Sequence, residues 1–488
     1  MSGLPPGWDT ALLGHLNVEM QAGFPSGRHN TEGVGIPHLR PMNVDRAGQL
    51  NLSEVKYVEE ARDLRASAGD VLFNNTNSPP LVGKTAFFDR QGEWAFSNHM
   101  TRLRPPPGLD AKFLAAQLHY MWMRGVFQEL CSNHVNQASV STKTLRQTIR
   151  LVVPPTKEQH RIIAAIEEQL SRLDAALPVL GRVRQNLRRM RSTMLESAVS
   201  GRLVPQDPRD GSGAELLASI KIEPRRSKRK GTELVTHTPP VPATWATAPW
   251  AAIGHSQNGR AFPSADYSTE GRRLLRPGNL HSSGDVVWSA ANTRYLPERY
   301  AVEFPNYLVG ENEIVMNLTA QSLRDEFLGR VCMMGQGDAA LLNQRIARLT
   351  PVGMNARFVL LVLKSPSFRS FASQLNTGSL IQHMFTWQVD QFIFPIPPLR
   401  EQDRIVASID TSSSMLDAFD RLAAHAETRA HRLRFAILDA AFSGKLVPQD
   451  PNDEPASVLL DRIDEEHTSS GGRKRIRVRR QRRATVIT

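Results

Sequence analysis

The sequence is poor in cysteine. Cys131 and Cys332 are the only two and lie 201 residues apart, which excludes a disulfide framework and fits a reducing cytoplasm. Long apolar runs are missing too. Phe358 to Leu363 is typical of the longest, far short of the ~18 residues that mark a membrane span. The opening Met1-Ser2-Gly3-Leu4-Pro5-Pro6 lacks a basic stretch followed by an apolar one, so no secretory signal is expected there.

Catalytic motifs begin and fail. Gly83-Lys84-Thr85 ends like a phosphate-binding loop, but Ser78 stands where the turning glycine belongs. Asn77-Ser78-Pro79-Pro80-Leu81 has the outline of an amino-group methyltransferase motif, yet Leu81 cannot stack on a flipped base and no glycine-rich cofactor loop lies nearby. Asp45, Glu54 and Lys56 mimic the spacing of a metal-dependent nuclease, and the second copy described below carries Ala290 and Asn292 at the last two positions. Cys131-x-x-His134 has no second half with which to hold a metal. No metal site and no catalytic residue is expected.

What is present is a chain of 488 residues, enough for about three domains of roughly 150 residues each, with 40% hydrophobic and 22% charged residues. Its net charge of +12 is local. One run holds Arg225, Arg226, Lys228, Arg229 and Lys230, and another holds Arg473, Lys474, Arg475, Arg477, Arg479, Arg480, Arg482 and Arg483. Without those 13 cations, 47 Lys and Arg face 48 acids, so the body is near neutral. The runs read as a solvated linker and tail able to touch phosphate without reading sequence.

The dominant signal is an internal repeat. Ser200-Gly201-Arg202-Leu203-Val204-Pro205-Gln206-Asp207-Pro208 recurs as Ser443-Gly444-Lys445-Leu446-Val447-Pro448-Gln449-Asp450-Pro451, at an offset of 243. Pro154-Pro155-Thr156-Lys157-Glu158-Gln159-His160-Arg161-Ile162 recurs at the same offset as Pro397-Pro398-Leu399-Arg400-Glu401-Gln402-Asp403-Arg404-Ile405. Upstream the offset drifts, from 236 for Leu39-Arg40-Pro41-Met42-Asn43 against Leu275-Arg276-Pro277-Gly278-Asn279 to 246 for Val82-Gly83-Lys84 against Leu328-Gly329-Arg330. Drift means insertions, which live in surface loops.

Between the fixed motifs, apolar residues alternate steps of four and three. Ile162, Ile166, Leu173, Leu180 and Leu187 mark the seam of one long helix. Ile405, Ile409, Leu416, Phe419 and Leu433 mark the other. This heptad spacing predicts a coiled coil, and chain connectivity favours antiparallel pairing. Pro178 should kink or break the first helix. The globular regions before each helix show short β-type runs between Gly, Pro and Asn, then a helical stretch. The expected fold class is α+β, with two globular α/β domains separated by two long helices in an antiparallel coiled coil about a pseudo-two-fold axis. The expected segments are 1–153 and 236–396 as globular domains, 154–222 and 397–467 as spacer helices, 223–235 as basic linker and 468–488 as basic tail.

Leu4-Pro5-Pro6-Gly7-Trp8, Gly69-Asp70-Val71-Leu72-Phe73, the Pro-Pro-x-x-Glu-Gln-x-Arg-Ile helix start and the closing Ser-Gly-[Arg/Lys]-Leu-Val-Pro-Gln-Asp-Pro together resemble the specificity subunit of type I restriction–modification systems. The resemblance covers about residues 4–463; Pro178 and the worn Val241-Pro242-Ala243-Thr244-Trp245 depart from it. It implies a chain without catalysis, in which each globular region is a target recognition domain reading half of a split duplex DNA site. It implies two DNA methyltransferase subunits as partners, restriction/translocase subunits beside them, and S-adenosylmethionine, ATP and Mg²⁺ bound by those partners alone.

If the two halves read different DNA, residues shared by both copies build the frame or touch phosphate, and differing polar residues read bases. The shared class holds Arg40, Asn43, Asn74 and Lys84 against Arg276, Asn279, Asn317 and Arg330. The differing class holds Asn75, Thr76 and Asn77 against Thr319, Gln321, Ser322 and Arg324; His99 against Gln344 and Arg345; and Lys143 against Gln382 and His383. A coiled-coil scaffold with protein-binding end domains is the alternative reading.

Overall fold

The computed structural model describes residues 3–59, 62–134, 137–222, 239–320, 327–375 and 382–466. The basic linker and tail fall outside them, as do Gln321, Ser322 and Arg324. The chain forms two compact units: unit 1 comprises Met1–Leu180 with His425–Thr488, and unit 2 comprises Gly181–Ala424.

Unit 1 carries twelve strands among its described residues. They are β1 (Asp9–Leu12), β2 (Glu19–Ala22), β3 (Ile36–Leu39), β4 (Lys56–Val58), β5 (Asp70–Asn74) and β6 (Thr76–Asn77), then β7 (Thr85–Phe88), β8 (Ala95–Phe96), β9 (Met100–Arg104), β10 (Ser132–His134), β11 (Gln137–Ser139) and β12 (Arg150–Val153). The order β2-β9-β5-β7 forms the central sheet, β4-β3-β8 a second sheet, and β10-β11-β6 and β1-β12 two small ones. β5 is buried along its whole length because strands flank it on both sides. Its first residue, Asp70, is only 1% exposed, and its carboxylate takes a bidentate pair from Arg104 at 2.8 and 3.0 Å. The Gly-Asp motif thus starts a strand; Gly69 at φ +100 supplies the turn before it. Helices α1 (Ala111–Met123), α2 (Val126–Leu130) and α3 (Thr142–Thr148) follow the sheets. The core closes around Phe73, Leu103, Leu114, Leu118 and Phe127.

The long helix α4 (Thr156–Val199) then leaves unit 1 and ends in unit 2. Pro178 does not break it. Pro178 is exposed, so water can satisfy the carbonyl that its missing N–H leaves without a donor.

Unit 2 repeats the plan. After α5 (Gly213–Ser219) come β13 (Ala246–Pro249), β14 (Gly254–Asn258), β15 (Arg272–Leu275), β16 (Tyr295–Leu296), α6 (Arg299–Glu303), β17 (Leu308–Gly310), β18 (Ile314–Asn317) and β19 (Thr319–Ala320). β20 (Val331–Met333), β21 (Ala339–Leu342), β22 (Ile346–Pro351), α7 (Ala356–Lys364), α8 (Pro366–Gln374), β23 (Gln382–His383), α9 (Thr386–Val389) and β24 (Ile393–Ile396) complete it. Its sheets run β14-β22-β18-β20 and β16-β15-β21-β17, with β13-β24 and β19-β23 as small pairs. Glu313 does the work of Asp70 here, pairing with Arg348 at 3.1 Å, and Asn312 takes the positive φ of 64° where Gly69 stood. Helix α10 (Leu399–Phe442) begins in unit 2 and ends in unit 1.

The repeated motifs now have physical roles. Gln159 donates to the Pro154 carbonyl at 3.0 Å and accepts from the Asp110 amide at 2.8 Å. Gln402 does the same with Pro397 at 2.9 Å and Asn355 at 2.8 Å, so Pro-Pro-x-x-Glu-Gln locks the start of each long helix to the N-cap of a helix of its globular unit, α1 in unit 1 and α7 in unit 2. Arg161 pairs with Asp453 at 2.7 Å, and Arg404 with Asp210 at 2.6 Å. The segment after α4 therefore folds onto unit 2, and the segment after α10 folds onto unit 1.

In each unit the two long helices run antiparallel. In unit 1 Asp174 pairs with Arg434, while Arg161 reaches Asp453 beyond the end of α10. In unit 2 Arg184 pairs with Asp420 at 3.2 Å, and Arg191 pairs with Asp417. The seam departs from a strict heptad. Ile162, Ile166, Leu187, Ile405, Ile409 and Leu416 are buried and Leu173 and Leu180 half-buried, but Phe419 is 56% exposed and Leu433 47% exposed. One residue further on, Asp420 is half-buried and Arg434 buried, while Ala423 and Ile437 keep the heptad positions. From Ile405 to Ala441 the covered face advances ten steps in 36 residues, the 3.6 period of a straight α-helix. A 3.5 repeat drifts by about 20° per heptad against it, enough after four heptads to move the covered position by nearly one residue.

Candidate nucleic-acid interface

In unit 1 four chain segments converge on one cleft. β3 leads through Arg40 into the 3-10 turn Pro41–Asn43. Asn43 fixes that turn: its side chain accepts from the Arg40 amide at 2.9 Å and donates to the carbonyls of Asn51 at 2.9 Å and Glu54 at 3.1 Å. The end of β5 reaches the same turn, because Asn74 donates to the Pro41 carbonyl at 2.9 Å. The turn between β8 and β9 joins through the Ser97 amide on the Leu39 carbonyl at 2.9 Å, and the His99 carbonyl accepts from Asn75 at 3.1 Å. Lys84, just before β7, accepts from the Asn74 amide at 2.9 Å through its carbonyl, and its ammonium donates to the Val44 carbonyl. These segments enclose a cleft of about 670 Å³ whose lining includes Arg40, Asp45, Arg46, Asn77, Lys84 and His99.

Unit 2 builds the same frame from different residues. Asn279 accepts from the Arg276 amide at 2.9 Å and reaches the carbonyls of Val287 and Asn292 at 3.4 and 3.5 Å. The Asn343 amide donates to Leu275 at 3.3 Å, the Leu318 amide to the Arg345 carbonyl at 2.9 Å, and the Asn317 amide to the Arg330 carbonyl at 2.8 Å. Arg330 then reaches the Leu280 carbonyl at 3.4 Å, as Lys84 reaches Val44.

Several residues proposed from sequence as DNA contacts are part of this frame instead. Asn43, Asn74, Asn279 and Asn317 are at most 1% exposed, with their amides bonded to backbone. Asn75 is buried too, donating to Asn98 at 3.1 Å and Thr101 at 2.9 Å. Lys84 lines the cleft with its ammonium turned inward, and burial pulls its pKa below the ordinary lysine value while Asp45 opposes the shift. Gln382 is buried in β23. Matching Lys143 to Gln382 and His383 also fails. Thr319 faces His383 across β19 and β23, as Thr76 faces Ser139 across β6 and β11, so the counterparts of Gln382 and His383 are Ala138 and Ser139. Lys143 lies on α3, exposed and outside the residues lining the cleft.

Residues that do present side chains at the frame are Arg40, Thr76, Asn77 and His99 in unit 1 and Arg276, Thr319, Arg330, Gln344, Arg345 and His383 in unit 2. The guanidinium of Arg276 lies over the Tyr267 ring at 5.8 Å, and that of Arg330 over Phe327 at 4.7 Å. The Nε of Arg40 is buried at the cleft without a hydrogen-bond partner. Sequence reasoning missed Arg46 and Met42, the latter 49% exposed on the cleft wall. The repeat held a signal for Met42, which faces Gly278 inside an otherwise shared Leu-Arg-Pro-x-Asn.

Residues 42–177 match the family model described as the type I restriction modification DNA specificity domain. The chain is 25% identical over 327 residues to the type I restriction enzyme EcoAI specificity subunit of Escherichia coli, a match over 64% of this chain and 54%, about half, of that protein. It is 23% identical over 462 residues to the EcoKI specificity subunit of Escherichia coli strain K12, covering 90% of each. With the StySPI specificity subunit of Salmonella potsdam it shares 22% over 498 residues, covering 96% of this chain and 98% of the relative. The chain is thus similar to the type I restriction specificity subunits. Its fold is shared with a solved chain described under "Structural basis underlying complex assembly and conformational transition of the type I R-M system", at TM-score 0.63 and 18% identity, over 91% of this chain and 100% of that one. The family match begins at Met42, inside the cleft turn, and runs into α4, so the span typical of specificity domains takes in most of the unit 1 cleft. Among the described residues no helix is long and apolar enough to cross a membrane.

Proposed function

We propose that this chain is the DNA-reading subunit of a type I restriction–modification complex, and that its two units read the two unequal halves of a split, asymmetric site. One observation carries the reading: the two units share a backbone frame down to single hydrogen bonds, yet differ at the side chains the frame presents. Where unit 1 offers Asn77 and His99, unit 2 offers Ala320 and Arg345. A shared frame serves approach to the phosphate backbone, and differing side chains serve base edges, where Asn pairs with adenine and Arg with guanine. The antiparallel helices set the spacing of the half-sites in this account.

The chain itself performs no chemistry. S-adenosylmethionine binds the two methyltransferase subunits, and ATP and Mg²⁺ bind the translocating restriction subunits, all in the cytoplasm. Methylation by those partners requires flipping an adenine out of the stack. The test is a gel shift with the full chain, alone and with co-purified methyltransferase, alongside a map of methylated adenines in the DNA of the host. The proposal expects a two-part motif with unequal halves. A chain that binds no duplex in either form, in a host whose DNA carries no bipartite adenine methylation, would overturn it.

A further inference from the structure

The loop that forms one wall of each cleft is built alike in both units. In unit 1 Val44 bridges Leu50, the Asp45 amide donates to the Gln49 carbonyl at 3.0 Å, and Gly48 turns at φ +77. In unit 2 Leu280 bridges Val286, the His281 amide donates to the Asp285 carbonyl at 3.1 Å, and Gly284 turns at φ +99. Each glycine sits directly over a side chain from the helix below. A Cβ on Gly48 would lie 2.8 Å from the His119 ring of α1, and one on Gly284 would lie 2.5 Å from the Lys364 ammonium of α7.

The two loops are held from beneath by different cations. In unit 2 Lys364 donates to the Ser283 carbonyl from within the domain. In unit 1 the corresponding carbonyl belongs to Ala47, and the corresponding helix residue is His119, a buried imidazole whose pKa lies well below 6.5 and which therefore supplies no cation there. The donor there is Arg434 of α10, whose guanidinium reaches the Ala47 carbonyl at 3.4 Å while pairing with Asp174 of α4. Arg434 is 4% exposed. Its repeat counterpart Arg191 makes the matching pair with Asp417, but its side chain is 41% exposed. The positive charge under the loop has thus moved between copies, from the domain's own helix in unit 2 to the long spacer helix in unit 1.

We infer that Arg434 is a positioning residue for DNA reading by unit 1: it holds the 44–50 loop, and with it Asp45 and Arg46 at the cleft wall, to the spacer helix. This rests on the DNA-reading function proposed above. Unit 2 has no such dependence, since Lys364 supplies its donor locally.

Three full-length chains test this: wild type, Arg434→Met, and Arg434→Met with His119→Lys, which installs the arrangement of unit 2. Methionine fills the guanidinium's space without leaving a buried cation. Hydrogen exchange at the amides of residues 45–49 reads the loop without DNA. Selection from randomised duplexes, with any co-purified partners present, reads the two half-sites. The expected result for Arg434→Met is at least tenfold faster exchange at 45–49, none at 281–285, and loss of sequence preference in one half-site only. The double variant should restore both. Unchanged exchange in Arg434→Met would overturn the inference. So would an equal loss in both half-sites, which marks general damage to the helix pair, or faster exchange with both halves intact. If wild type selects no motif at all while exchange still rises and reverts, the DNA reading has failed and the positioning role in recognition fails with it, leaving only a structural tie.

Discussion

Units 1 and 2 are two solutions to one design, and they differ most where they touch the long helices. Unit 1 places a neutral imidazole, His119, beneath its cleft loop and takes its cation from α10; unit 2 keeps the cation on its own α7. The ion pairs are related by the repeat, Asp174 with Arg434 and Asp417 with Arg191, yet one arginine is buried and the other open to water. A frame can therefore be copied faithfully while the electrostatics under it are rearranged, provided each buried carbonyl still finds a donor.

The largest expected contrast lies at a pair of equivalent glycines. Gly83, at φ +93, leaves no room for a Cβ, which would lie 2.3 Å from a ring carbon of Phe127. Gly329, at φ +66, would bring a Cβ to 2.9 Å from the flexible Met384 methyl. Gly83→Ala should destabilise unit 1 by about 4 kcal/mol and Gly329→Ala unit 2 by about 2 kcal/mol, from backbone strain plus overpacking. Urea unfolding with hydrogen exchange at β5 and β18 separates the two; equal losses would show that the cores are equally tight.

A second contrast appears on acidification. Burial pushes the His119 pKa down from 6.5 to about 4. The unfolded chain takes up this proton as pH falls through 6.5, and the folded unit resists until about 4, so the stability His119 contributes is present above 6.5 and lost between those values. The loss amounts to roughly 3 kcal/mol at most. Urea midpoints at β5 between pH 7 and 5 should fall in the wild type and fall less in His119→Leu. Indistinguishable slopes would mean that His119 is hydrated in the folded unit.

The ion pairs give a smaller effect. Asp174→Ala leaves Arg434 buried without its carboxylate and should cost about 2 to 3 kcal/mol. Asp417→Ala leaves Arg191 in reach of water and should cost under about 1 kcal/mol. Thermal unfolding of both single variants checks the difference, and reversal of the order would contradict the burial argument.

Much of the fold was legible because the repeat announced it. Glu-Gln after Pro-Pro recurs at one offset because Gln159 and Gln402 each lock a long helix to a globular unit, and Asp210 and Asp453, three residues past the repeated Gln-Asp, take Arg404 and Arg161 from the starts of the long helices. The helix seam was legible in part: the strict 3.5 repeat marks Ile405, Ile409, Leu416, Ala423 and Ile437, which are buried, but it also predicts Leu433, where a straight helix turns Arg434 inward. At the cleft, the sharing rule marked Asn43 and Asn279 as important but could not tell phosphate contact from framework, since both require an identical residue in both copies. The match of Lys143 to His383 failed because the loops between them differ in length and only strand register resolves it. Arg434 was invisible as a partner of Ala47, because nothing in a helix repeat says which loop lies against it.

The central claim, one frame presenting two sets of readers, is tested most directly by selecting duplexes with wild type, His99→Ala and Arg345→Ala. These two residues occupy the same place in the frame, their carbonyls accepting the equivalent amides of Asn75 and Leu318. The account predicts a motif with two unequal halves, a loss of about tenfold in preference confined to one half for His99→Ala, and a similar loss confined to the other half for Arg345→Ala. A palindromic motif, or variants that each weaken both halves alike, would contradict it.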